Sequence, residues 1–408
     1  MNNFTEASKS PGYYIKKRLK ANKPSMFGLL FILGSFVVSI LGYLIMPDQT
    51  PNANDGAVQI QKLPPGSKVT FLKRRKNREI EKKSIIQKAI YGQESEYIIV
   101  PIHDYEIEHL FVRVRIFGKK NYFQEYSILD AVKVKNGAEI QVENEKSNEL
   151  VLTYEDLDGN KASITYNDLI SEFEENNFET RTYFLGSDKM GRDILSRLLF
   201  GTRISLSIGF IAVLISMVLG MSLGSTAGFF GGKIDMFILW FMSVIWSIPG
   251  IILVIAISMA LQSRGVWVAF VAVGLTMWVE VARVMRGQIM SIKEKLFVEA
   301  ARAFGIKNFR IVFVHILPNI AGPIIVIATA NFAAAILLEA GLSFLGLGVQ
   351  PPTPSWGVMI YEGFQAIGTK NSLHLILFPG LAICILVLSF NLLGNGLRDA
   401  YDPKTLLE

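Results

Sequence analysis

The chain has 408 residues, half of them hydrophobic, with a mean hydropathy of +0.35 and a net charge of +6. This is too apolar for an ordinary soluble protein, yet 19% of the residues are charged, so the composition predicts a polytopic membrane protein with a sizeable polar part. The basic residues cluster beside apolar runs, which argues against nucleic-acid binding. A single cysteine, Cys384, excludes an internal disulfide or a cysteine metal site.

The first apolar run covers residues 26–46 and follows a polar, basic tail of residues 1–25. The run is long enough to cross a hydrocarbon core of roughly 30 Å. It is also longer than the apolar part of a signal peptide, and no small-x-small cleavage site follows it. We therefore expect a retained transmembrane helix preceded by a cytoplasmic tail.

Five further apolar runs cover residues 204–229, 234–260, 266–284, 319–344 and 373–394. Backbone amides cannot remain unpaired in lipid, so each run is expected to be a helix. The sequence thus predicts a polytopic α-helical membrane protein with six transmembrane helices and both termini on one side. Lys and Arg are concentrated before the first run and between the fourth and fifth, which places both termini in the cytoplasm.

The polar residues 47–183 are then extracytoplasmic, and their pattern predicts a β-rich or α/β domain between helices 1 and 2. Residues 110–117 alternate apolar and basic side chains, as a strand does. Asn136-Gly137 lies between two alternating runs within 131–142, and Asp158-Gly159 lies within a second such pair, so both predict hairpins. Basic residues between 73 and 83 do not oppose this topology, because long loops translocate largely regardless of charge.

An interfacial amphipathic segment is predicted at residues 184–203, just before the second span. Leu195, Leu198 and Leu199 belong to an apolar stripe at helical spacing, and Asp193 and Arg197 form an i,i+4 pair. Such a helix is expected at the outer membrane surface with its basic face toward the headgroups. The alternative is a collar that only leads the chain into the membrane.

The loop of residues 285–318, between spans four and five, carries the most informative motif. Residues 297–319 read FVEAARAFGIKNFRIVFVHILPN. The sequence predicts a helix over 293–304 that ends at Gly305, and a second helix over 307–316 that stops before Pro318. Small side chains at Ala300, Ala301 and Ala303 allow another surface to approach closely. An ordinary amphipathic connector is the alternative.

Polar residues within the apolar runs are candidates for a translocation pathway, because a charge at mid-bilayer costs about 2.5–3.5 kcal/mol on insertion scales. Asn331 and Glu339 lie in span five. Glu280 and Arg283 lie near the inner end of span four, where a mutual pair or snorkelling is the alternative. Glu339 could equally be an outer-interface residue. Separately, Gly220, Gly224 and Gly228 recur at i,i+4 steps and predict a close helix-packing face.

Two acidic clusters in the polar region are not expected to bind metal. In a strand over residues 103–109, His103 and His109 share one face and the three acidic residues share the other, so the ligands do not converge. Residues 156–160 resemble a calcium loop, but an EF-hand requires Gly and Glu where Lys161 and Asn167 stand. We interpret that segment as a turn.

Four stretches, in this order, resemble the C-type permease subunits of the dipeptide/oligopeptide/nickel ABC importers. They are residues 185–206 (LGSDKMGRDILSRLLFGTRISL), 297–319, 339–360 (EAGLSFLGLGVQPPTPSWGVMI) and 391–404 (NLLGNGLRDAYDPK). The stretch at 297–319 is similar to the EAA loop of ABC-importer permeases. The chain departs from the family pattern in its much longer first external segment, and at Glu280, where a small or aromatic residue is expected.

The resemblance implies a type I importer core of five helices over residues 204–408, in addition to the first span. It implies that residues of the EAA loop (285–318) couple this chain to ATPase subunits: Val298, Glu299, Ala300, Ala301, Arg302, Ala303, Phe304, Gly305, Ile306, Lys307, Leu317 and Pro318. It also marks out an interfacial motif: Asp188, Gly191, Arg192, Asp193 and Arg197.

The resemblance further implies a non-catalytic subunit of a bacterial plasma-membrane importer for peptides or related small solutes, with nickel chelates as another possibility. Its partners would be a B-type permease, two ATPases that bind ATP and Mg²⁺, and an extracytoplasmic substrate-binding protein. We expect no cofactor on this chain, which has no phosphate-binding G-x-x-x-x-G-K-[ST] motif. A membrane-anchored sensor and a passive channel are the competing hypotheses.

Overall fold

The computed structural model describes residues 11–119, 121–134, 141–144, 150–263 and 265–401. The chain divides into two compact units. The helical unit comprises Met1–Ser39, Gly201–Tyr361 and Pro379–Glu408, and the sheet unit comprises Ile40–Phe200 and Glu362–Phe378.

The α-helices, in chain order, are α1 (Pro11–Ala21), α2 (Lys23–Ile45), α3 (Ile85–Tyr91), α4 (Ile128–Val132), α5 (Tyr166–Asn176), α6 (Ile194–Phe230), α7 (Gly232–Trp246), α8 (Gly250–Ala260), α9 (Val266–Ile292), α10 (Leu296–Ala303), α11 (Asn308–Arg310), α12 (Ala321–Phe344), α13 (Trp356–Phe364) and α14 (Leu373–Tyr401). The strands are β1 (Ser67–Arg75), β2 (Tyr97–Glu108), β3 (Phe111–Ile116), β4 (Phe123–Ser127), β5 (Gln141–Asn144), β6 (Leu150–Glu155), β7 (Lys161–Thr165) and β8 (Phe178–Tyr183).

Within the described residues, five helices are long and apolar enough to cross a membrane, so the predicted class of polytopic helical membrane protein is confirmed. They are α2, α6, α9, the helical run Asn308–Phe344 and α14. The predicted third span, 234–260, is instead a pair of helices, α7 and α8, that meet at 91°. The prediction of one continuous helix there is wrong, because Pro249 lacks an N–H and disfavours helical geometry at the residue before it.

Helix α6 packs closely on α9 through its three spaced glycines, as the sequence predicts. A Cβ placed on Gly228 would lie 2.8 Å from the carbonyl oxygen of Arg286. Side chains at Gly220 and Gly224 would overlap Val281 and the backbone of Ala282. The glycine face therefore lets the two backbones approach more closely than any larger residue would allow.

The sheet unit is built on an antiparallel sheet with strand order β4-β3-β2-β1-β8. Alternate residues of β3, Val112, Val114 and Ile116, are buried, which confirms the strand predicted from the alternation over 110–117. They pack with Leu169 and Phe173 of α5 in one apolar core. A second sheet has the order β5-β6-β7.

One of the two predicted hairpins is described. Strands β6 and β7 pair antiparallel, with Glu155 opposite Lys161, and Gly159 in the turn has a φ of 82°. The Asn136-Gly137 turn lies outside the described residues. The strand predicted from residue 131 is wrong, because Ala131 and Val132 end α4. Both side chains are buried with Ile128 and Leu129, at the spacing of a helix rather than a strand.

The two acidic clusters of the sheet unit have local partners. Arg115 donates from Nε and Nη2 to the two carboxylate oxygens of Asp104, at 3.0 and 2.5 Å. His109 lies in the turn after β2, with a φ of 53°. Asp156 Oδ1 accepts from the backbone N–H groups of Asp158 and Asn160, at 3.0 and 2.8 Å, which confirms the predicted turn.

Candidate functional site

The EAA loop contains one short, sharply ended helix, α10. Its C-terminus is a Schellman motif, in which the Gly305 N–H donates to the Arg302 carbonyl at 2.9 Å and the Ile306 N–H donates to the Ala301 carbonyl at 3.1 Å. Gly305 has a φ of 74°, a conformation that favours glycine. The predicted helix end is confirmed, although α10 begins at Leu296 and not at residue 293.

One face of α10 is buried in the helical unit. Val298 and Ala301 are buried and pack with Met285 and Ile289 of α9. The same apolar cluster includes the segment that follows α10 within the loop, through Ile311, Val312 and Ile316. The apolar cluster thus joins α10 to α9 and to the helical run that leads into α12.

The other face of α10 is open and unusually apolar for a loop between spans. Leu296 is 82% exposed and Phe304 is 83% exposed. The polar and small residues on this surface are also exposed: Glu299, Ala300, Arg302, Ala303, Gly305 and Lys307. Exposed aromatic and aliphatic side chains among charges are typical of a surface that binds another protein.

The base of the EAA loop is held by polar contacts that the sequence reading did not identify. Arg286 of α9 donates from Nε and Nη2 to the two carboxylate oxygens of Asp235 in α7, at 2.5 and 2.6 Å. Lys293 Nζ donates to the carbonyl of Gly228 at 3.0 Å, and the guanidinium of Arg302 lies 5.1 Å from the ring centroid of Phe229. The sequence feature that could have indicated this pair is Asp235, a lone acidic residue in an apolar run.

The second helical segment of the EAA loop does not stop before Pro318, so that prediction is wrong. Residues Ile311–Ile316 form a π-helix and Leu317–Ile320 a 3₁₀-helix, and these lead into α12 without a break. The change of hydrogen-bond pattern accommodates a proline that cannot donate to the preceding turn. Leu317 is half-buried and Pro318 is exposed.

A closed ring of buried charges lies before and within the first turn of α6. Arg192 Nε donates to Asp188 Oδ2 at 2.7 Å, and Arg192 Nη2 donates to both carboxylate oxygens of Glu362 at 3.1 Å. Arg197 Nη2 donates to Glu362 Oε2 at 3.1 Å, and its Nε lies 3.5 Å from Asp188 Oδ2. Two guanidinium groups thus balance two carboxylates away from water.

These contacts correct the interfacial prediction. Arg197 is 0% exposed and Arg192 is buried, so neither presents a basic face to headgroups. Asp193 does not pair with Arg197 but caps α6, because its Oδ2 accepts from the Ser196 N–H and hydroxyl at 2.7 and 2.5 Å. Burial raises the pKa of the Asp193 carboxyl. Helical spacing alone could not distinguish an exposed basic face from a buried ion network.

Gly191 permits the turn that brings this segment together. Its φ is 78°, and a Cβ there would overlap the backbone carbonyl of Ala57. Arg192 then reaches Asn54 Oδ1 at 3.1 Å. The sequence reading found Asp188, Gly191 and Arg192 but missed Glu362, whose signal was an isolated acid within the apolar residues 356–364.

Asp48 is a second missed residue of this region. Its Oδ1 accepts from the Thr50 N–H and hydroxyl at 2.9 and 2.6 Å, and its Oδ2 accepts from the Asp55 N–H at 3.0 Å. The Asp48 N–H donates to the hydroxyl of Ser196 at 2.9 Å. Burial raises the pKa of the Asp48 carboxyl to about 6, against the lowering effect of these hydrogen bonds.

The predicted pathway residues in α12 are enclosed by this chain. Glu339 is buried, and its Oε1 accepts from the Ser343 hydroxyl at 2.7 Å. Ser343 also accepts from the Val349 N–H at 3.2 Å, so the carboxyl group braces the loop that follows α12. Asn331 is buried too, and its Nδ2 has no hydrogen-bond partner in the described part of the chain.

The predicted residues of span four have separate surroundings. Glu280 is exposed. The Arg283 guanidinium lies over the Trp246 ring, 3.8 Å from its centroid, so a cation–π contact replaces the considered pair with Glu280. A shared polar path through Glu280, Arg283, Asn331 and Glu339 stays a prediction.

The geometry defines a polytopic membrane protein with one rigidly based, exposed helix between two of its spans. A family model described as the binding-protein-dependent transport system inner membrane component matches residues 216–407, which include the whole EAA loop. The dipeptide transport permease DppC of Alkalihalophilus pseudofirmus is 43% identical over 222 residues, which are 54% of this chain and 72% of that protein.

A second relative agrees in class. The glutathione transport permease GsiD of Pectobacterium atrosepticum is 43% identical over 222 residues, 54% of this chain and 73% of that protein. A chain of the inward-facing MetNI methionine ABC transporter is 20% identical, with a TM-score of 0.43, over 50% of this chain and 96% of that one. The chain belongs to the binding-protein-dependent inner-membrane permeases and is a permease subunit of an ABC importer.

Proposed function

We propose that this chain forms one half of the translocation pathway of an ATP-driven importer for short peptides or peptide-like solutes. Six membrane crossings, with α7 and α8 together as one of them, leave the EAA loop and both termini in the cytoplasm and the sheet unit outside. A second, B-type permease completes the pathway. This chain is non-catalytic, and two partner ATPases bind the ATP and Mg²⁺.

The open face of α10 is the observation that carries this proposal. Leu296 and Phe304 have the exposure of side chains that fill a partner's cleft. The buried face, through Val298 and Ala301, and the Arg286–Asp235 pair bind the helix to the spans. A docked ATPase that moves on ATP binding would therefore move α9 and α12 through this one element.

The peptide class of substrate is supported by two relatives that are 43% identical, a dipeptide transport permease and a glutathione transport permease. The pathway opens by movement of one permease against the other. In that account, Asn331 and Glu339 are enclosed in the present conformation and would gain access to the path only in another one. An extracytoplasmic binding protein would deliver the solute.

Photocrosslinking tests the docking surface. A benzophenone amino acid at Leu296 or Phe304, in the chain expressed in its own host, should crosslink to a P-loop ATPase. The matched control is the same amino acid at Leu275, which is also exposed but lies within α9 and should label lipid or permease. Co-purification of a second permease without any ATPase crosslink from either loop position would contradict the proposal.

Uptake tests the substrate class. Cells that lack this chain should lose uptake of a radiolabelled dipeptide or tripeptide, and the full chain should restore it. Unlabelled peptides should compete, and a nickel chelate should not. Competition by the nickel chelate alone would assign the chain to metal-chelate import instead.

A further inference from the structure

Helix α3 of the sheet unit exposes almost all of its apolar side chains. Ile85 is 75% exposed, Ile86 is 73% exposed and Tyr91 is 63% exposed, and α3 contains no buried residue. With 3.6 residues per turn, the three isoleucines, which include Ile90, fall within a sector of about 140°, with Gln87 and Tyr91 on the opposite side. The helix is therefore amphipathic, and its apolar stripe faces away from the core of its own unit.

The C-terminal end of α3 lies against the end of the first membrane-spanning helix. A Cβ placed on Gly92, the residue after α3, would lie 2.7 Å from Cε1 of Tyr43 and 2.8 Å from the carbonyl oxygen of Gln49. The Gln93 N–H donates to the same carbonyl at 2.9 Å. Tyr43 belongs to the last turn of α2, a span of 23 residues. Such a helix just exceeds a hydrocarbon core of about 30 Å, so its last turn lies at the membrane surface.

Basic side chains accompany the apolar stripe. Lys82 precedes α3 and its side chain is 84% exposed. Lys83 Nζ donates to the Gly92 carbonyl at 3.0 Å and lies 5.9 Å from the centroid of the Tyr91 ring, and Lys88 lies within α3. Lysines beside a stripe of large apolar residues are typical of helices that lie among lipid headgroups, where anionic lipids attract them.

We propose that α3 lies on the bilayer surface beside the end of α2, with its isoleucine stripe inserted below the headgroups. The lysines then contact anionic headgroups. The occupant of the stripe is lipid, because the backbone at Gly92 fixes the helix at the depth where α2 leaves the membrane. The sheet unit is thereby held to the membrane at a point beyond its covalent connection to α2.

Depth-dependent fluorescence quenching tests this placement in the intact chain. The single native cysteine is removed by Cys384→Ser, and Ile86→Cys or Ile85→Cys is labelled with a nitrobenzoxadiazole dye. The protein is reconstituted into phosphatidylcholine vesicles, with or without phosphatidylglycerol, that contain lipids with a nitroxide near the headgroup. Phe123→Cys is the control, because Phe123 is an exposed residue of β4. Strand β4 is one edge of the five-stranded sheet, and it lies four strand spacings, or about 19 Å, from the other edge, β8.

In phosphatidylglycerol vesicles we expect the dyes at positions 85 and 86 to lose most of their fluorescence and the dye at position 123 to retain it. High salt should reduce the quenching at both α3 positions. The proposal would be overturned if, in monodisperse protein, the dyes at positions 85 and 86 were quenched no more than the dye at position 123. A blue shift at position 86 only after addition of partner subunits would overturn it in favour of a protein partner.

Discussion

Two segments of this protein have similar sequence patterns and opposite structures. Both the EAA loop and the segment before α6 combine an apolar stripe at helical spacing with charged residues. In the EAA loop, Glu299, Arg302 and Lys307 are exposed. At the start of α6, Asp188, Arg192 and Arg197 are buried and paired with Glu362 or with each other's partner.

The difference separates charges that are available to a partner from charges that are used internally. A buried guanidinium is tolerated only beside opposite charges, and Arg192 and Arg197 are each paired with both Asp188 and Glu362. Helix α10 instead buries only apolar side chains, Val298 and Ala301, and leaves Glu299 and Arg302 exposed. Substitutions in the two segments should therefore have contrasting effects on folding and on transport.

Arg197→Met should have the largest effect. It leaves Asp188 and Glu362 opposite a single guanidinium, and breaking a buried ion pair in this way costs about 3–5 kcal/mol. Thermal unfolding in mild detergent, followed by tryptophan fluorescence, should show a large loss of stability. Adding Glu362→Gln should recover part of it, because the double variant again balances one positive and one negative charge.

Arg302→Met is the matched control for that experiment. Arg302 is exposed and its contact is a cation–π interaction with Phe229, worth about 0.5–1 kcal/mol at such sites. Equal destabilisation by Arg197→Met and Arg302→Met would show that the buried ring does not differ energetically from the exposed loop.

Gly305→Ala should destabilise the protein less and impair transport more. Its φ is 74° and no atom lies within 4 Å of a Cβ there, so the cost is backbone strain of about 1–2 kcal/mol. We expect peptide uptake to fall because the end of α10 moves. Gly66→Ala is the control, with a φ of 82° and equally open space in the sheet unit. A similar loss of uptake in both variants would contradict a specific role for the EAA loop.

The parts of this structure that could be predicted depend on local sequence. Asp158-Gly159 specifies its turn and Gly305 ends its helix, because each acts within a few residues. Two predictions at prolines were wrong in opposite directions, since a span predicted to be continuous breaks at Pro249 and a helical run predicted to stop continues through Pro318. Tertiary packing decides such cases.

The charge ring could not be predicted for a different reason. Arg197 and Glu362 are 165 residues apart, so no local pattern joins them. The same limit applies to the close approach of Gly92 to Tyr43, which lies beyond any helical or strand repeat. What the sequence could indicate was that an isolated acid such as Glu362 requires a partner.

Asp48→Asn should make stability less dependent on pH. The folded pKa of Asp48 is about 6, above its ordinary value of 3.8, so the folded state binds the proton more tightly. The contribution of Asp48 to the unfolding free energy is fully present below pH 3.8, and it is lost as the pH rises through the folded pKa of about 6. Between pH 5 and 7 the native chain should lose about 1 kcal/mol more than the variant. If the unfolding free energies of the two proteins change equally with pH, the raised pKa of Asp48 would be contradicted.

Glu299→Gln should leave stability almost unchanged, within about 0.5 kcal/mol, because the side chain is solvated. Peptide uptake should nevertheless fall if the carboxylate is reserved for a partner. Glu294→Gln removes the same charge from an exposed position just outside α10 and should affect neither property. If uptake is normal in both variants, Glu299 is an ordinary solvated charge, and docking must then depend on Leu296 and Phe304. In that case the two segments would differ in where their charges lie but not in what those charges do.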